Sequence, residues 1–230
     1  MAMATDRLGL HEELLLLVLD DEKGSDSTTY STADQATAGA ILMELAIRDL
    51  VRYEDKSLQV LDDASAPEGV LADTLALLRA QDDPKGAKHW VAKLPKELKP
   101  LRARAAADLV AHGVLEEDQS KLLGIFSRTR YPTRDPEPER AVRERLRRVL
   151  VDGQEPDERD SALVALVYAL EREKDVVGRE HRKAARKRAK EIAEGDAVGK
   201  AVRAAVQQVQ GAIIGATIAA SASAAVSGGS

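Results

Sequence analysis

Four histidines, His11, His89, His112 and His181, are the residues best suited to metal or proton chemistry, and they are scattered along the chain. None stands at a ligand-like spacing from another, and with no cysteine there is no thiolate to complete a metal set. Asp and Glu pairs are plentiful, but they fall at helix starts and turns. No Gly-rich phosphate loop follows a strand, and no Ser occupies a nucleophile elbow. The residues therefore offer no catalytic constellation, no metal site and no cofactor site, and the expected class is a non-catalytic module. What remains is basic. Lys93, Lys96, Lys99, Arg102 and Arg104 cluster in one stretch, and Arg182, Lys183, Arg186, Lys187 and Lys190 recur at i, i+3/i+4 spacing. Either group can hold an anion or form a solvated face. A stripe of this kind on anionic lipid gains about 1 kcal/mol per basic residue.

The elements that must position these groups are helical. Residues 32–62 are the stretch the rest is organised around. Thr32 and Gln35 read as a capping box. Ala36, Ala40, Met43, Ile47 and Leu50 form a helical face, Ile41, Leu42, Leu45 and Ala46 fill most other sides, and Glu44 and Arg48 share a strip at i, i+4. A helix this apolar belongs in a core. Two β-like runs, 50–53 and 58–61, follow across a polar turn and predict a hairpin. A first helix is expected over 8–19, a polar loop over 25–31, and further helices over 69–81, 88–94, 101–112, 139–151 and 159–171. The helix at 88–94 should be interrupted near Pro95 and Pro100, and a second hairpin is expected within 114–127. Residues 109–118 echo 46–55 at a constant offset, each reading helix, sharp turn, hairpin. The apolar stretch 202–224, with Gly211 and Gly215 in a small-xxx-small spacing, is too short in its apolar part to span a bilayer and reads as a packed or fraying terminus.

Hydrophobic residues make up 44% of the 230 and aromatics only 3%, so the core must be built of Leu, Val, Ile and Ala, which favours helices. The expectation is a mainly α fold, one globular domain over 8–226 with two short β-hairpins, a short tail at 1–7 and another at 227–230. A net charge of −5 argues against bulk nucleic-acid binding. The absence of cysteine fits a reducing compartment, and residues 1–13 reach acidic groups too early for a secretory leader. Heavy use of Ala, Arg, Leu and Asp points to a GC-rich bacterial genome.

Several pieces recur together in a recognisable order. They are LGLHEELLLLVLDDEKG at 8–24, GAILMELAIRDLV at 39–51, Ala66 to Leu71, Trp90, and Leu109-Val110-x-x-Gly113-Val114-Leu115. In this order the chain resembles the Golgi phosphoprotein 3 family. The resemblance implies a peripheral membrane protein that binds phosphatidylinositol 4-phosphate and, in eukaryotes, retains Golgi enzymes. It places the family's headgroup pocket on four positions. Lys99 and Arg102 match two basic positions three residues apart, where Arg would give a forked donor and Lys a point charge. The family's helical Arg is replaced by Ala38, and its loop Trp falls at Thr29 or Tyr30, with Tyr30 as the stand-in. Half the pocket is kept, which predicts anionic headgroup binding without specificity for the 4-phosphate. The family's second hairpin serves self-association and membrane contact, which here would use Leu122, Leu123, Ile125 and Phe126. The alternative is that Leu123 and Ile125 pack inward as in any half-buried strand.

The expected partners are therefore an anionic phospholipid surface, a second copy through the hairpin, and an unidentified client protein. The expected location is the cytoplasmic face of a membrane. Only residues 1–7 precede the domain, so the coat-recruiting basic arm of eukaryotic members is expected to be absent. The alternative class is a soluble protein–protein interaction domain or a winged-helix regulator, although a helix with almost no exposed polar side chain over 41–47 has little with which to read bases.

Overall fold

The computed structural model describes residues 7–18, 30–54, 56–66, 68–122 and 126–195, with 207, 209, 211, 213 and 215 beyond them. Side chains at 30, 31, 119–122 and 126–128 are excepted. These residues form a mainly helical body with two antiparallel two-stranded hairpins.

Helix α1 (Leu10–Val18) and helix α2 (Tyr30–Ile47) pack against each other at the centre. From Ala36 to Ala46 every α2 residue is buried, as expected of a helix apolar on nearly all sides. One expectation fails at its start. Thr32 is not the cap, because the helix already runs from Tyr30 and Thr32 is a buried residue within it. Helix α3 (Val70–Arg79), α4 (Ala87–Glu97) and α5 (Leu101–Ala111) enclose α2 on one side. On the other side lie α6 (Glu137–Leu150), α7 (Glu158–Ala169), α8 (Glu173–Val177) and α9 (Arg182–Glu194). Helix α7 is as buried as α2 and touches both it and α1. Helix α4 runs through Pro95 instead of stopping there. The missing amide costs one bond, but Leu98 N–H still reaches Leu94 O at 2.9 Å, so the last turn closes.

The first hairpin pairs β1 (Val51–Glu54) with β2 (Ser57–Val60), Val51 opposite Val60. The second pairs β3 (Asp118–Leu122) with β4 (Phe126–Arg130), later in the chain than expected, after a separate bridge from Leu115 to Thr133. The helix–turn–hairpin echo is present, but its true offset is 64 residues. Leu50 N–H bonds Leu45 O and Val114 N–H bonds Leu109 O, both at 2.9 Å. The turn residues are Asp49 at φ 54° and Gly113 at φ 74°, the left-handed position that ends a helix sharply.

Two of the residues described in the late apolar segment pack inward. Val209 and Ile213 are fully buried in the main core while residues 207, 211 and 215 face out. A Cβ at Gly39 would collide with Val209 Cγ1, so Gly39 is required by the close approach of that segment to α2.

Burying acids in this core demands partners. Glu44 is fully buried and accepts from Arg48 Nε at 2.6 Å, from Leu10 N–H at 2.7 Å and from Arg159 Nη1 at 3.3 Å. Arg159 also donates to Leu8 O and lies 3.6 Å from Glu13, which Arg145 bonds at 2.8 Å while holding Asp160 at 2.6 Å. Four helices, α1, α2, α6 and α7, are thereby locked through one chain of charges. Burial alone would raise the Glu44 carboxyl, but Arg159, the Leu10 amide and Arg48 together hold it below the ordinary value of 4.5. Glu173 shows the opposite balance. Burial pushes its carboxyl up against the pull of Arg186, and one of its oxygens has no hydrogen-bond partner among the described residues.

A depressed folded pKa means that the Glu44 contribution is complete above the unfolded value and is lost as pH falls through the folded one. Glu44→Gln leaves Arg159 short of its counter-charge and should cost about 3–5 kcal/mol. Urea midpoints of wild type and variant, followed from about pH 7 to about pH 3, should converge on the acid side of 4.5. A gap that stays constant with pH would show that Glu44 acts by shape alone.

Candidate functional site

Of the basic stretch before the Leu109-Val110 segment, the structure leaves few charges uncommitted. Lys93 donates to Gln81 at 3.2 Å and lies over the buried Trp90 ring, 5.1 Å from its centre. Arg104 pairs with Asp73 at 2.7 Å. Arg102, in the first turn of α5, is mostly buried and its Nε meets Asp34 Oδ1 at 2.9 Å. Lys96 and Lys99 are exposed, and neither has an ion pair among the described residues. Lys99 stands just outside α5, before Pro100, which caps it. The two predicted cations are thus unequal: Lys99 is presented to solvent, and Arg102 is held in place by a carboxylate.

Asp34 is the residue that sequence reading missed. It lies one turn after Tyr30 and one turn before Ala38, so the three positions share a face of α2. The bond from Arg102 therefore joins the start of α5 to the stretch of α2 where the resemblance places the other half of the pocket. The i, i+4, i+8 spacing of 30, 34 and 38 was available in the sequence, but nothing in it says that an acid there would face Arg102. Ala38 itself is fully buried. The Tyr30 backbone opens α2, and its side chain lies outside the described residues, as does Thr29.

In the second hairpin, Leu122 and Phe126 are paired opposite each other as the last described rung before the turn. Their side chains, and the whole of Leu123 and Ile125, lie outside the described residues, so neither the exposed nor the inward reading is decided.

Two of the scattered histidines come together in space. His11 Nε2 lies 3.4 Å from Asp108 and His112 Nδ1 lies 2.7 Å from Glu12, bridging α1 to α5. Glu12 also takes the Gly9 amide at 2.7 Å, and Asp108 takes the Val70 amide at 3.2 Å. These contacts tie helix ends together. Among the described residues no group of three or more His, Asp or Glu side chains could hold a metal ion. A cleft of about 370 Å³ nearby is walled by Leu8, Val114, Pro138 and Val142 with Arg7, Glu13 and Arg145. Arg7, Glu13 and Arg145 are engaged with one another or with Asp157 and Asp160, while Asp135, which also lines the cleft, takes the Glu137 amide.

The basic stripe expected at 182–190 is largely neutralised on α9. Arg186 bonds Glu171 at 2.8 Å and Glu173 at 2.9 Å and covers the Tyr168 ring, while Lys187 and Lys190 have Glu191 and Glu194 within 3.9 Å. No helix among the described residues is long and apolar enough to cross a membrane. In α2, the helix that precedes the first hairpin, Ile41, Leu42, Met43 and Leu45 are fully buried.

The family profile described as Golgi phosphoprotein 3 (GPP34) matches residues 10–209. The chain is also similar to vacuolar protein sorting-associated protein 74 of Eremothecium gossypii, 27% identical over 165 residues. That alignment covers 63% of this chain and 49% of the relative, so the chain spans about half the length of the curated relative it matches. With most of its length matched, including both helix–turn–hairpin units and the Lys99–Arg102 segment between them, the chain belongs to the Golgi phosphoprotein 3 family.

Proposed function

We propose that this chain is a non-catalytic module that docks peripherally on anionic membrane, with Lys99 and Arg102 as headgroup contacts. The observation that carries the reading is the Arg102–Asp34 bond, which brings the start of α5 to the Tyr30–Ala38 face of α2. Exposed Lys99 supplies the uncommitted charge beside it, and family membership supplies the class. Asp34 limits the site. Its carboxylate competes with any phosphate for the Arg102 guanidinium, and Ala38 brings no charge of its own.

Two variants move binding in opposite directions. Lys99→Glu with Arg102→Gln should abolish flotation on phosphatidylglycerol-containing vesicles with the helical circular dichroism unchanged. Asp34→Asn, which removes the negative charge that competes for Arg102, should strengthen flotation, since a charge-assisted hydrogen bond contributes roughly 1.5–3 kcal/mol. Unaltered flotation in the first variant would sink the assignment.

The lost contacts at 38 and at the loop before α2 bear on selectivity. Binding should track total anionic charge, with phosphatidylglycerol or cardiolipin serving about as well as a phosphoinositide, and it should weaken with salt. Vesicles matched in charge but differing in headgroup test this. A salt-resistant preference for phosphatidylinositol 4-phosphate would mean that the pocket is rebuilt by other residues.

The second hairpin carries the proposed self-association. With Leu122 and Phe126 at its last described rung, an exposed end would offer apolar side chains and free backbone groups to another copy. Phe126→Lys should lower any concentration-dependent oligomer seen by sedimentation, and a wild type that stays monomeric at high concentration would refute it.

A further inference from the structure

The inner face of α4, Ala87, Trp90, Val91 and Leu94, is buried against α2, which fixes what the outer face must be. Lys88, Ala92 and Lys96 stand outward at i, i+4, i+8, and Lys99 follows after the helix ends. Over residues 85–99 there are five lysines and one glutamate, a net +4 in a chain of net −5. At the N-terminal end of the helix Tyr53, Lys56, Gly86, Lys88 and His89 line a shallow depression of about 550 Å³ with no carboxylate among them. That depression is built rigidly. Leu58 N–H bonds Lys85 O at 2.9 Å, and a Cβ at Gly86 would stand only 2.6 Å from Lys56 O, so the first hairpin is pinned to the start of α4. Lys56, Lys88, Lys96 and Lys99 are all exposed, and none has an ion pair among the described residues. The contrast with α9 is plain, where Glu191 and Glu194 lie within 3.9 Å of Lys187 and Lys190.

We infer that the outer face of α4, from Lys56 and Lys88 through Lys96 to Lys99, is a docking surface on which the helix lies flat against an anionic lipid bilayer. This rests on the membrane reading above and extends it from a single headgroup contact to a plane. Charge complementarity selects the occupant: ammonium groups spread over about 12 Å from Lys88 to Lys96 face many headgroups at once, and Ala92 between them lets the backbone approach closely. Lipid contacts at both ends of one rigid helix reinforce each other, since the first engaged raises the local concentration of the second. The plane also fixes orientation, with α7 and α9 turned away from the bilayer.

The test compares matched charge reversals on phosphatidylcholine vesicles containing phosphatidylglycerol. Lys88→Glu/Lys96→Glu should lower partitioning at least about tenfold at low salt, with unchanged circular dichroism. Lys183→Glu/Lys187→Glu, the same charge change on α9, should leave it near wild type. Equal losses from the two pairs would show a net-charge effect and overturn the surface, as would wild-type binding by the α4 pair. Orientation is read separately. The chain has no cysteine, so a nitroxide at Ala92→Cys reports alone. It should lose accessibility to a soluble relaxation agent when vesicles are added, whereas a label at Lys187→Cys should not. A label at 92 that responds to polyglutamate but not to vesicles would assign the face to an acidic protein instead and overturn the lipid. If Lys99→Glu/Arg102→Gln binds like wild type while Lys88→Glu/Lys96→Glu does not, the headgroup site fails and the plane stands without its Lys99 end. The reverse result removes the plane and keeps the site.

Discussion

A carboxylate with no access to water holds this fold in register. Glu44 sits in the last turn of α2 with its neighbours buried on both sides, and an unpaired charge there would be untenable. Its partners come from three places: Arg48 one turn on, the first amide of α1, and the first turn of α7. Each fixes a degree of freedom that apolar packing leaves loose. The Leu10 amide sets the height of α1 along α2, and Arg159 sets the approach of α7. Leucine-rich faces slide over one another at little cost, while a three-way charge contact is satisfied in one arrangement only. Glu13, with Arg145 and Asp160, repeats the device one layer out and brings α6 into the same frame.

The two helix–turn–hairpin units share more than their outline. Glu44 and Asp108 are equivalent at the 64-residue offset, and each receives the first backbone amide of another helix, Leu10 for Glu44 and Val70 for Asp108. Gly69 makes room for the second contact, since a Cβ there would strike Asp108. The units differ in depth and reach. Asp108 is partly exposed and faces a histidine where Glu44 faces two arginines. The second hairpin returns after 20 residues, Val114 to Arg134, where the first returns after 11, Leu50 to Leu61. The first unit buries its acid fully and returns by a short hairpin, while the second leaves its acid partly exposed and returns by a longer one.

Local pattern carried the architecture well and its junctions poorly. The buried helix at residues 36–46, the first hairpin, the turn at Gly113 and the Glu44–Arg48 pair were all legible, because each depends on residues within a few positions. The repeat was legible but misplaced by one, since side-chain similarity aligns Ala46 with Leu109 while the backbone bonds align Leu45 with it. Thr32 resembled a cap because capping is a local chemistry, yet the helix starts two residues earlier, at Tyr30. At the candidate site Lys99 and Arg102 were singled out by resemblance, as a pair three residues apart. Asp34 was not, because it is 68 residues from Arg102 and only the tertiary fold makes it a partner. The same limit hid Arg159 behind Glu44, whereas the α9 pairs Lys187–Glu191 and Lys190–Glu194 stand at i, i+4 and were open to a local reading.

The notch at Gly39 sets an order of events. It is filled by Val209, and 170 residues separate the two, 39 to 209. At a synthesis rate of about 5–20 residues per second, roughly 10–35 s pass between the emergence of the notch and of its filler. During that interval Val209 is not yet available, so the Gly39 face of α2 waits for a contact that forms only after 170 further residues have left the ribosome.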